Sequence, residues 1–97
     1  MNALLELLEA LGYEVEAKER YVVGHRQEGG TRFVVYLSPE GEVRLEKRRV
    51  IAEAVVEKQI AGIPGQYVRR EEVFEVFFAR EVNNPARLIL AWEQLDP

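Results

Sequence analysis

"RRVIAEAVVEKQIAG", residues 48–62, is the stretch on which the architecture turns. Read with a 3.6-residue period, Val50, Ile51, Ala54, Val55 and Ala61 fall on one broad apolar stripe. Gly62, Ile63 and Pro64 then resemble a helix stop, with glycine just past the last turn and proline beyond it. Read with a period of two, Val55-Val56 and the loose alternation around them fit a strand. The stop signal favours the first reading, so the sequence predicts a second helix over residues 48–61.

Upstream of it the pattern is β. "EVRLEK", residues 42–47, alternates charged and apolar residues, which sets Val43 and Leu45 inward and Glu42, Arg44 and Glu46 outward. "SPEG", residues 38–41, is a turn with Pro39 suited to its second position. Before it, "YVVGHRQEGGTRFVVYL" places Gly29-Gly30 between two runs rich in β-branched and aromatic residues. Two-residue turns need positive φ, so the Gly-Gly pair reads as a hairpin and not as a phosphate cradle. Neither G-x-G-x-x-G nor G-x-x-x-x-G-K-[ST] occurs. "FVVYL" is apolar on both faces, as expected of a central strand covered on both sides. "YEVEAK", residues 13–18, is an earlier strand. Residues 2–11 form a helix, with Leu4, Leu7, Leu8 and Leu11 on one stripe, Asn2 as a cap and Gly12 just past the end.

Downstream, "GIPGQ" is a loop and "YVRREEVFEVFFAREV" a strand. Alternation puts Phe74, Val76, Phe78 and Val82 on a core face, and Phe77 with Val73 on the other. "NNPA" is a turn. "RLILAWEQL", residues 87–95, is either a hairpin partner or a helix with Asn84 as N-cap and Pro85 at the first helical position. The strand reading is preferred. The predicted order is α-β-β-β-β-α-β-β: an α+β domain spanning residues 1–97, with an N-terminal helix, an antiparallel β-meander, a second helix and a C-terminal hairpin whose last element could be helical. In outline this order is similar to small acidic secretion chaperones, and its helix-plus-hairpin opening is similar to nuclease-like cores. No motif carries either likeness, and no family follows from them.

Composition narrows the function classes. Apolar residues make up 47% and charged residues 31% of the chain, a globular balance. There is no cysteine, which excludes disulfides and thiolate chemistry. The leucine-rich N-terminal segment is too short and too acidic for a membrane span or a signal peptide, so a cytoplasmic protein without a membrane partner is expected. The abundance of Glu and Arg and the scarcity of thermolabile residues point to a thermophilic source. A net charge of −4 argues against bulk electrostatic capture of nucleic acid.

Candidate sites are few. His25 is the only histidine and has no cysteine to join it, so no metal site is expected and no cofactor is implied. A Ser38–His25–Asp96 triad has no support in spacing. "EAK", residues 16–18, matches the E-x-K triplet of metal-dependent nucleases, where Glu16 would hold Mg²⁺ and Lys18 would assist the attacking water. Arg48, Arg49, Arg69 and Arg70, with Tyr67 as a stacking ring, could form a nucleic-acid patch, extended by Arg26 and Arg32. The aromatic run around Phe77, with Tyr36 and Trp92, offers anchors for a protein partner on an apolar sheet face. The preferred expectation is a small non-enzymatic interaction module that forms a homodimer or binds another protein through that face. Nucleic-acid binding through the arginines comes second, and a minimal nuclease third.

Overall fold

The computed structural model describes the backbone of residues 2–56 and 66–95, and the side chains of residues 2–51 and 69–95. The order is α1 (Asn2–Ala10), β1 (Glu14–Ala17), β2 (Val22–Glu28), β3 (Thr31–Leu37), β4 (Val43–Val56), β5 (Gln66–Ala79) and α2 (Pro85–Glu93). The five strands form one antiparallel meander in the order β1-β2-β3-β4-β5. The α+β class and the N-terminal helix agree with the sequence reading.

Local signals explain most boundaries. Gly12 has φ +90° and ends α1, where its amide and those of Leu11 and Tyr13 bond back to the carbonyls of the last turn. The helix already includes Asn2, so that residue is part of the first turn and not a cap ahead of it. Glu28 pairs with Thr31 across Gly29-Gly30, and Gly29 has φ +59°, so the opening hairpin forms as expected. Ser38 closes the next turn: its carbonyl accepts from Gly41 N, and its hydroxyl from Glu42 N at 3.1 Å.

Two expectations are overturned. Residues 48–56 are strand, not helix, and continue β4 along β5 as far as Val56 opposite Gln66. Val50, Ile51, Val55 and Val56 suit an extended backbone once a partner strand is present, and pairing outweighs a weak helical stripe. The predicted helix's last residues, 57–61, and its stop at Gly62, Ile63 and Pro64 lie outside the described residues. The last element is the helix α2 rather than a hairpin partner. Asn84 Oδ1 accepts from Arg87 N at 3.2 Å, and Pro85 occupies the first turn, as in the alternative reading.

The register sorts side chains into rows. Val22, Leu37, Val43 and Ala79 stand side by side across β2–β5, followed by Gly24, Val35, Leu45 and Phe77, then by Arg26, Phe33, Lys47 and Glu75. This is the face that α1 and α2 cover. Leu8, Ile89 and Trp92 pack there against Tyr13, Val22, Val35, Leu37 and Leu45, all of them buried. The open face carries Val23, Tyr36, Arg44 and Phe78, then His25, Val34, Glu46 and Val76, then Gln27, Arg32, Arg48 and Val73. Phe77 therefore lies on the helix side and Phe78 on the open side, the reverse of the expected assignment. Alternation along β5 states only which residues share a face, and the pairing of Ala79 with Val43 decides which face that is.

A polar clamp ties α2 down at the far end of the helix-covered face. Arg26 bonds Glu93 of α2 and also reaches Glu28 at 3.2 Å. The Arg26 guanidinium lies 5.4 Å from the Tyr13 ring centre and 5.2 Å from that of Phe33. Burial holds the Glu93 carboxyl above its ordinary value of 4.5, with Arg26 opposing the shift. The stability Glu93 contributes is therefore complete below pH 4.5 and is lost as pH rises through its folded-state value. Glu93→Gln fixes the neutral form. Melting curves from pH 4 to 8 should show a shallower decline for the variant than for wild type. Superimposable profiles would mean that the carboxyl titrates as it does in the unfolded chain.

Candidate interaction surface

Over β3 and β4 the open face is covered by its own polar side chains, while Val73, Val76 and Phe78 of β5 stay exposed on it. Glu46 is 1% exposed although no helix covers it. Arg44 bonds one of its oxygens, and Arg48 holds the other through Nη2 at 2.6 Å and Nε at 3.0 Å. The Arg44 guanidinium lies 5.4 Å from the ring centres of both Tyr36 and Phe78. Tyr21 and Tyr36 are tilted against each other with centres 5.8 Å apart. Further along, Glu71 receives Arg32 at 3.0 Å, Arg69 at 3.2 Å and Arg48 at 3.8 Å. Val23 and Val34 on this face are 4% and 0% exposed without a helix above them, so the middle of the doubly apolar "FVVYL" strand is already buried within the single chain.

Those ion pairs bear on the arginine patch. Arg48 and Arg69 come together, but around Glu71. Arg49 instead stacks on Phe74, 4.3 Å from its ring centre. Arg70 is exposed opposite Ala52, and the Tyr67 side chain lies outside the described residues. The expected patch is thus divided, and its meeting arginines share carboxylates, Arg48 with Arg44 on Glu46 and Arg32, Arg48 and Arg69 on Glu71.

The other candidates are placed as follows. Trp92 is not a surface anchor: it is 3% exposed, edge-on to Phe33 at 5.3 Å, and donates from Nε1 to Glu75 Oε1 at 2.9 Å. Tyr36 is half-buried on the open face beneath Arg44. Glu16 and Lys18 pair with each other at 2.8 Å, and this hydrogen bond holds the Glu16 carboxyl below its ordinary value. Among the described residues no three His, Asp or Glu side chains converge as metal ligands would. His25 is half-buried with Arg32 Nη2 at 3.4 Å from Nδ1, and burial followed by Arg32 pushes its imidazole below the ordinary value. No helix among the described residues is long and apolar enough to cross a membrane.

What the sequence did not locate is the exposed side of β5. The sheet has two edges, and they differ. β1 is four residues long and carries Glu14 and Glu16, the short charged form in which edges resist pairing. β5 is fourteen residues long and lies at the opposite edge. From Val73 to Ala79 it contains no lysine, proline or glycine. Val73 is 44% exposed, Val76 43%, Phe77 41% and Phe78 69%. Beyond Arg49, which pairs with Thr31 at the end of β3, β4 has only β5 beside it among the described residues, and the two continue as a two-stranded arm. Such a ribbon is marginal alone in water. Beside the Phe78 end of β5, an open groove of about 880 Å³ is lined by Tyr21, Tyr36, Arg44, Phe78 and Arg80 among others.

No protein-family model, no curated protein and no solved structure matches the chain.

Proposed function

We propose that this chain is a non-enzymatic protein-interaction module that self-associates through β5, with Val76, Phe77 and Phe78 as its anchors. The observation that supports this is the asymmetry of the two sheet edges. One is short and acidic. The other presents consecutive large apolar side chains beside a row of backbone groups that have no partner strand among the described residues. Leaving such an edge in water is a standing hazard, and covering it adds hydrogen bonds and removes apolar area together. The interface is therefore the edge strand rather than the middle of the sheet face, which the arginines and tyrosines already cover.

Sedimentation equilibrium across a concentration series tests the reading. The wild type should approach twice the 11.2 kDa chain mass. Phe78→Arg, at a residue already exposed in the single chain, should shift the equilibrium to the monomer without changing the far-UV circular dichroism. A wild type that stays at the single-chain mass throughout would sink the proposal, as would a dimer indifferent to the substitution.

A further inference from the structure

We infer that two copies join through antiparallel β5 strands with Phe77 opposite its own counterpart on the two-fold axis, making one continuous ten-stranded sheet. This rests on the self-association proposed above and adds its register. In a symmetric antiparallel pair, some residue must face itself across the axis. For the axis to bring Val76, Phe77 and Phe78 together it must fall in the last part of β5, and the sequence there separates the choices from Phe74 to Phe78.

Glu75 on the axis would set two carboxylates against each other, which is unfavourable. Phe74 falls at the register shift where Lys47 pairs with Glu75 but Arg48 with Val73, so a regular ladder cannot be centred there. Val76 on the axis would oppose each Phe77 with a Glu75. Phe78 on the axis leaves little strand, since β5 ends at Ala79. Phe77 on the axis opposes Val76 with Phe78 twice and Glu75 with Ala79 twice. No like charges meet, and all five regular residues from Glu75 to Ala79 are used.

The burial pattern fits the same register. Val76 and Phe78 belong to the open face and Phe77 to the helix-covered face, and all three are exposed in the single chain. A second copy in this register covers them at once. Val76 and Phe78 from both strands form one apolar block on the open side, and the two Phe77 rings meet on the helix side. Glu75 is already held by Trp92 Nε1 at 2.9 Å and Lys47 at 3.5 Å, so facing Ala79 leaves its partners undisturbed.

A charge-swap experiment reads the axis directly. Phe77→Arg and Phe77→Glu, each alone, place like charges across it and should weaken self-association by at least about 100-fold. Mixed in equal amounts they should recover the two-chain mass as a heterodimer, because each arginine now faces a glutamate. The chain has no cysteine. Phe77→Cys should therefore form a disulfide-linked dimer under mild oxidation far faster than the control Ala3→Cys, directly opposed strand residues being about 4.5–5.5 Å apart at Cα. Should both charged variants fail to fold, the cysteine pair decides. A Phe77→Arg protein that dimerises as well as wild type would overturn the register, as it would if that arginine met Glu75. So would a folded pair of variants that stays monomeric on mixing, or a Phe77→Cys protein that cross-links no faster than the control. A wild type that is monomeric throughout fails both this inference and its parent, whereas a wild-type dimer without rescue fails only the register.

Discussion

Trp92→Ala should lower the free energy of unfolding by about 3–5 kcal/mol, the range for removing a large buried aromatic residue. The indole joins α2 to the sheet in three ways. It packs edge-on against Phe33 at 5.3 Å, it donates to Glu75 Oε1 at 2.9 Å, and its face lies 5.4 Å from the Lys47 ammonium. Alanine removes all three contacts and leaves a cavity between helix and sheet. It also leaves Lys47, which is only 3% exposed, with Glu75 at 3.5 Å and the Leu95 carbonyl at 2.9 Å as its remaining partners. For a domain of this size the melting temperature should fall by at least about 12 °C. Urea unfolding with a matched slope would measure it. A loss below about 1 kcal/mol, typical of a surface site, would show that α2 is not docked through this residue. Trp92 would then again be open to the partner-anchoring role its type suggests.

Gly24→Val should cost about 3 kcal/mol, the upper end for forcing extra carbons into a packed core. A β-carbon built on Gly24 would stand 3.1 Å from Leu8 Cδ1, 3.1 Å from Tyr13 Cβ and 3.2 Å from Tyr13 Cδ2. Leu8 is fully buried and Tyr13 nearly so, so neither can swing into water. The Tyr13 β-carbon is fixed to the backbone where α1 passes into β1. Valine adds two further carbons beyond the first, and α1 must lift from β2 to admit them. Gly24→Ala should lose less, because its single carbon needs the neighbours to yield by only a few tenths of an ångström. The ordering wild type, alanine, valine in denaturant midpoint is the result to look for. Equal midpoints for all three would mean that α1 leaves room above Gly24 for a larger side chain.

These two sites show what could be read in advance. Gly24 sits in a run of strand formers where a glycine has no local use. Its purpose appears only when Leu8 and Tyr13, distant along the chain, are brought down on it. Trp92 is an aromatic residue in an apolar segment, and such a residue serves equally well as a core plug or as a partner anchor. The difference between 3% exposure for Trp92 and 69% for Phe78 is decided by α2 folding back over one face of the sheet. The candidate surface was legible in composition, as an aromatic run around Phe77, but not in position. Nothing in "VFEVFF" says that, among the described residues, no strand lies beyond it.

By itself the sequence determined the features whose cause lies within a few residues. Gly12 ends α1 because only a residue without a β-carbon takes φ +90° cheaply. Gly29, at φ +59°, turns the β2–β3 hairpin for the same reason. Asn84 and Pro85 carry the local start signal of α2, one capping a free amide and the other lacking one, but the sequence offered that helix only as the alternative to a strand. Tertiary structure decided the rest. Residues 48–56 became strand because β5 pairs with them from Arg48 to Val56, skipping only Ile51 at a register shift, and a helical stripe with weak apolar spacing could not compete. Phe77 and Phe78 exchanged their expected faces because register is set by a neighbouring strand and a shift of one residue inverts every side chain. Glu46 became buried because Arg44 and Arg48 close over it from the same strand. In each case the deciding partner, or the layer that fixes its side of the sheet, is a long-range contact, and local spacing carries no information about which surfaces such contacts leave open.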